Sequence, residues 1–196
     1  MKKTLLLIVT CIFWFSLYLY IPFLTPYLIS LGVSATITGI IFGMHSFTQL
    51  VLRFPVGIKS DALGKQKPFI VMGLLFAAAA AVIMYFFPSP AMLFVGNVVS
   101  GFSSTMYVAF TVLYAKYYGK NETSRAMGTI GAVVEAGIFA AFLAGGFLYQ
   151  KSGIRILFLA SFLIGAVGVI VSLFVKEEPA KTVTIKKSDL LVIIKN

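Results

Sequence analysis

Acidic side chains are scarce in this sequence: its 196 residues hold six Asp and Glu, and charged residues of both signs reach only 11%. A soluble domain carries about 25% charged residues because its surface faces water, so a water-solvated globule is excluded. Cysteine occurs once, as Cys11 within an apolar run. That rules out an internal disulfide and reads as a small core- or lipid-facing residue. Histidine also occurs once. His45 has no Asp, Glu or Cys near it in sequence, so the constellation that a membrane-embedded enzyme needs is missing, and no metal or other cofactor is expected. A Gly-rich phosphate loop followed by Lys is absent as well, which excludes a nucleotide-binding unit within the chain. Sixteen Lys and Arg give a formal net charge of +10. No polar segment interleaves those cations with aromatics, so nucleic acid is not the expected partner.

What is abundant is apolar. Hydrophobic residues make up 60% of the chain and the mean hydropathy is +1.00, more than one soluble core can hide. A helix needs about 20 mainly apolar residues to cross a bilayer. Six stretches qualify, at roughly 5–29, 35–58, 68–87, 91–115, 126–149 and 154–175, and together they predict an all-α integral membrane bundle over 1–175. Residues 176–196, opening with Lys176-Glu177-Glu178-Pro179, read as a cytoplasmic tail or the start of a central linker. The first stretch imitates a signal peptide, but its apolar run continues past the 7–15 residues typical of such a core and is taken as an uncleaved helix. With the amino terminus inside, 13 of the 16 basic residues fall in inner segments and only Lys151 and Arg155 in outer loops. The positive-inside rule then predicts a multi-pass protein of the cell membrane with both termini cytoplasmic.

A faint internal repeat runs through the bundle. Gly57, Asp61, Gly64 and Phe69 recur 89 residues later as Gly146, Gln150, Gly153 and Phe158. The offset equals three helices, so one copy lies inside and its echo outside. That is the pattern of a 3+3 inverted repeat, a common building plan of transporters.

The segment after the second stretch reads Arg53-Phe-Pro-Val-Gly57-Ile-Lys-Ser-Asp61-Ala-Leu-Gly64-Lys65-Gln-Lys67. It resembles the signature cytoplasmic loop of the major facilitator superfamily: a Gly, an Asp four residues on, a Gly three later, then basic residues. Gly57 permits close helix approach, Gly64 a tight turn, and Asp61 can pair with cations or a helix amino terminus. The resemblance implies a gating loop made of Arg53, Gly57, Asp61, Gly64, Lys65 and Lys67 that braces one conformation against a second six-helix half. Ala62 and Gln66 depart from the family pattern, as does Asn97 where many proton-coupled members carry Arg. In the fifth stretch Gly137, Gly145 and Gly146 resemble the family's Gly-rich antiporter motif and are expected to pack helices, although Ala141-Phe142 replaces its Gly-Pro pair. The match covers about 20–175, the amino-terminal half of a drug-exporter-like transporter.

Polar side chains inside the spans mark the candidate site, because each costs about 2.5–3.5 kcal/mol at mid-membrane when ionised. Glu135 lies ten residues after Arg125, roughly 15 Å into the bilayer, and is the expected cation- or proton-coupling group. His45, Gln49 and Arg53 share one face of the second helix by their four-residue spacing. A polar stripe on the fourth helix includes Asn97, Ser104 and Tyr107, and the first helix adds Tyr20, with Pro22 and Pro26 allowing a bend. Each of these has a plainer reading as interhelical hydrogen bonding. The sequence therefore predicts a non-enzymatic secondary transporter for a small molecule, working by alternating access as an ion-coupled exporter of a lipophilic or cationic compound. A non-transporting scaffold or sensor on the same fold, or a sugar-like nutrient importer, are the alternatives. Its expected partners are substrate, lipid and a second half, supplied by the same chain or another copy.

Overall fold

The computed structural model describes residues 2–177, and among them every regular element is helical. Five helices are long and apolar enough to cross a membrane. We label the first four α1 (Lys2–Ser30), α2 (Ala35–Leu63), α3 (Lys67–Phe86) and α4 (Pro90–Lys116). The fifth, Thr123–Ser172, runs for 50 residues, which at 1.5 Å per residue is more than twice a hydrocarbon core of about 30 Å. It is interrupted at Gly153, whose φ of 70° and ψ of −169° are non-helical. That break divides it into α5 (123–152) and α6 (154–172). Where six separate stretches were expected, five long helices are found, because the fifth and sixth stretches run together with no loop and are divided only by the glycine at 153. The expected tail lies, from residue 178 onward, outside the described residues.

Local sequence explains each punctuation. Chain α1 consists of Lys2–Tyr18 and Ile21–Ser30, and it breaks just before Pro22, which stands in the first turn of the second piece. Ser34 caps α2 through its side chain, which accepts from the Ile37 amide, and Ser89 caps α4 in the same way from Met92. Proline at the start of α3 and α4 costs no hydrogen bond there. Helix α2 ends on Gly64, left-handed at φ 62°, a conformation that penalises any Cβ. Because α2 persists to Leu63, Gly57 and Asp61 lie on its last turns. The expected signature loop is therefore mostly helix, turning only at residues 64–66.

Small residues set the packing. A Cβ added to Gly145 of α5 would stand 2.5 Å from the Leu19 carbonyl oxygen of α1, and one on Gly137 would stand 3.1 Å from that of Cys11. Gly101 of α4 meets the His45 carbonyl of α2 just as closely, at 2.5 Å. Gly165 and Gly168 of α6 press on Ala78 and Leu74 of α3, and Gly73 of α3 presses on Met106 of α4. Ser161 of α6 donates to the Ser16 carbonyl of α1, and Ser103 of α4 donates to that of Gly73 at 2.7 Å. Exchanging α1 with α4, α2 with α5 and α3 with α6 maps the α1–α5 contact onto α4–α2, and α1–α6 onto α4–α3. The α3–α6 contact maps onto itself. Gly64 and Gly153, the partners in the 89-residue repeat, both have positive φ, and Phe69 and Phe158 are both buried.

Candidate functional site

The polar residues of the middle spans sort into two places. One is a network inside the bundle. His45 Nδ1 is 3.1 Å from Ser100 Oγ and its Nε2 is 3.3 Å from Ser104 Oγ, while the Tyr20 hydroxyl donates to Ser100 at 3.5 Å. With Tyr20 donating, the Ser100 proton is free for Nδ1, and Nε2–H then donates to Ser104. A neutral imidazole satisfies the whole chain. Asn97 is buried too and turns its amide to the Leu93 carbonyl of its own helix, at 2.9 Å. Tyr20, His45, Asn97 and Ser104 are thus held together or nearby as interior groups, each with a protein partner.

The other polar residues lie on more accessible parts of α1, α2, α4 and α5. Glu135 of α5 is exposed, and no cation stands within ion-pair distance of it among the described residues. Gln49 is half-buried on α2, one helical turn before the exposed Arg53, and Tyr18 of α1 and Tyr107 of α4 are half-buried.

Aromatic rings join three of these helices. Tyr107 meets Trp14 edge-on at 5.1 Å, Trp14 meets Tyr18 at 5.4 Å, and Tyr18 meets Phe142 at 6.1 Å. Trp14 Nε1 is buried and has no hydrogen-bond partner among the described residues, an orphan donor worth about 1–3 kcal/mol. Sequence reasoning missed Trp14, Tyr18 and Phe142. The four-residue spacing of Trp14 and Tyr18 was the available signal, since it puts both rings on one side of α1.

The motif residues lie at the end of the bundle where most of the lysines collect. Asp61 and Lys65 are exposed, and the Asp61 carboxylate makes no ion pair among the described residues. Lys67 donates from Nζ to the Leu173 carbonyl. Glu177, just beyond α6, receives the Gln66 and Lys67 amides at 2.5 and 2.9 Å, capping the start of α3 as a carboxylate should. Gly137 and Gly145 are close-approach positions, whereas a Cβ on Gly146 would meet only Phe23 Cζ, at 3.9 Å. No group of three or more His, Cys, Asp or Glu that could hold a metal occurs among the described residues.

A profile of the Major Facilitator Superfamily matches residues 6–195. The chain belongs to that family. Among curated proteins, the inner membrane transport protein YajR of Escherichia coli (strain K12) is 27% identical over 177 residues, 90% of this chain and 38% of that protein. An uncharacterized MFS-type transporter of Methanocaldococcus jannaschii, MJ1560, is 28% identical, over 77% of this chain and 39% of its own. The quinolone resistance protein NorA of Staphylococcus aureus (strain Mu50) is 25% identical, over 85% and 42%. The chain thus spans about two fifths of the length of these relatives. Family and relatives place it among multi-pass membrane proteins of transporter type rather than among enzymes.

Proposed function

We propose that this chain is one six-helix half of a secondary transporter that carries a small lipophilic or cationic compound across the cell membrane by alternating access, exporting it at the expense of an ion gradient. The observation that carries the reading is Glu135, an exposed carboxylate within a span with no cation at ion-pair distance among the described residues. A charge at that depth needs a partner or a proton. A bound organic cation supplies the first, with its apolar body against the rings. A proton supplies the second. Alternation between the two is the coupling an exporter requires. That NorA is named for quinolone resistance agrees with an amphiphilic cargo.

The remaining residues take supporting roles. Gln49 and Arg53 border the substrate face from α2. Tyr20, His45, Asn97 and Ser104 form the wall behind it and contact substrate through small shifts of that wall. Arg53, Gly57, Asp61, Gly64, Lys65 and Lys67 form the gate at the cytoplasmic end, with Asp61 presented to a second half. Helix α2 fits that arrangement: 17% of its apolar window is buried, against 50% for α1, and Phe47, Leu50 and Phe54 stand exposed.

Efflux of a fluorescent lipophilic cation tests the proposal in cells expressing the protein beside a second six-helix half. Losing a charged interaction of about 1.5–3 kcal/mol, Glu135→Gln should cut flux by about 10- to 100-fold at unchanged membrane abundance. Equal flux in both forms overturns the coupling role. Flux in neither form supports a non-transporting scaffold or sensor instead.

A further inference from the structure

Arg53 puts a guanidinium, which stays charged at any physiological pH, inside a span, and the proposed cycle gives it no counter-ion. It lies ten residues before Leu63, the end of α2, while Glu135 lies twelve after Thr123, the start of α5. Helix α3 crosses the bundle and α4 returns, so those two ends are on one side. The charges therefore stand about 15 and 18 Å in from the same side. Both side chains are exposed, and neither has an ion-pair partner among the described residues. Helix contacts put them on opposite flanks. Gly101 of α4 meets α2 and Gly145 of α5 meets α1, while Tyr107 of α4 meets Trp14 of α1 edge-on at 5.1 Å. The order across the bundle is α2, α4, α1, α5, with two helices between the charges. Arg53 is one turn before Gly57, where an added Cβ would stand 3.9 Å from Val108 of α4, the neighbour of Tyr107. Glu135 is two turns before Phe142, on the same side of α5, and the Phe142 ring is 6.1 Å from that of Tyr18. Since Trp14 and Tyr18 are 5.4 Å apart, a row of rings leads from the Arg53 flank to the Glu135 flank.

Resting on the reading of Glu135 as the cation site, we propose that the cargo is a zwitterion with an aromatic body, and that Arg53 is the specificity-determining residue that binds its carboxylate. A guanidinium takes a carboxylate through two parallel hydrogen bonds, and away from bulk water that attraction strengthens. A cargo with only a positive charge would satisfy Glu135 and leave Arg53 uncompensated at a depth where lone charges are costly. A zwitterion answers both, and its rings find Trp14, Tyr18 and Tyr107 between the two charges. The plainer role for Arg53 is to reach along its stem for the headgroups. That role is indifferent to what charge the cargo carries.

The test pairs rhodamine B, a cationic ring system bearing a carboxylate, with its methyl ester, the same rings without the anion. Efflux of each dye is measured in cells expressing the protein beside a second six-helix half. In Arg53→Gln the ratio of acid to ester efflux should fall by about 10- to 100-fold, the range for one lost hydrogen-bonded charge. Arg53→Lys, which keeps the charge and loses the fork, should give a ratio between the two. Damage to folding or to the gate slows both dyes alike and cancels in the ratio. An unchanged ratio in Arg53→Gln therefore overturns the assignment. Glu135→Gln tells that failure from failure of the reading beneath it. If Glu135→Gln spares the ester, the cation site is wrong and the zwitterion falls with it. If Glu135→Gln slows the ester while Arg53→Gln leaves the ratio unchanged, only the role given to Arg53 is lost.

Discussion

Gly153 offers the sharpest test of how this bundle is built. Its φ of 70° and ψ of −169° lie in a region that is essentially Gly-only and costs other residues about 1–3 kcal/mol. Nothing comes within 4 Å of a Cβ placed there, so Gly153→Ala creates backbone strain and no steric clash. Part of that cost is offset, because alanine restricts the unfolded chain by about 0.4–1 kcal/mol. The net loss is about 1–2 kcal/mol, or a fall of roughly 2–8 °C in Tm for a chain of this size. Gly128→Ala is the matched control on the same α5: its added Cβ also meets nothing within 4 Å, but its backbone is helical. There alanine should raise stability by about 0.5–1 kcal/mol through helix propensity. Thermal unfolding of the two purified variants in one detergent decides the matter. If both shift in the same direction, the break at Gly153 is not the hinge that converts one 50-residue helix into two spans.

Two further perturbations probe the packing. Gly145→Ala drives a methyl to 2.5 Å from the Leu19 carbonyl oxygen, whereas Gly146→Ala meets Phe23 only at 3.9 Å; the first should cost about 1–3 kcal/mol and the second, like Gly128→Ala, should raise stability by about 0.5–1 kcal/mol, read by denaturant titration in detergent. His45→Ala combined with Ser104→Ala should give a coupling energy of about 0.5–1 kcal/mol in a double-mutant cycle, typical of interhelical bonds in membranes, while His45→Ala with Gln49→Ala should give none.

The spans were legible because hydropathy reports the solvent around a helix, and lipid around this chain leaves an unmistakable signature. Helix ends were less so, for the same reason. Helix α2 continues through Lys59 and Asp61 to Leu63 after its apolar stretch has ended, so a boundary drawn at the first charges turned helical residues into loop. The Gly64–Gly153 echo was readable because both positions demand a backbone that only glycine adopts cheaply. The site was harder. The polar stripe on α4 was read as one continuous face, but Asn97, Ser100 and Ser104 are buried in the bundle whereas Tyr107 is half-buried against Trp14. Periodicity does not say which side of a helix another helix will cover.

The contact pattern also bears on what must move if the proposed transport cycle operates. Gly101 and Gly145 bring the backbones of α4 and α2, and of α1 and α5, to within a Cβ of collision. Contacts that close have no free travel, because interiors are packed to density and shift only between discrete arrangements. The Ser161–Ser16 and Ser103–Gly73 bonds fasten the α1–α6 and α3–α4 crossings, and Gly165 and Gly168 of α6 press on α3. The six segments are therefore braced as one body, and in the proposed cycle opening to either side of the membrane would come from rotation of that body against another. Helix α2, the least buried span, with exposed Asp61 near its end, is the surface on which such rotation would act. The His45 network lies directly behind it, so a disturbance of α2 reaches the interior of the bundle through hydrogen bonds already in place.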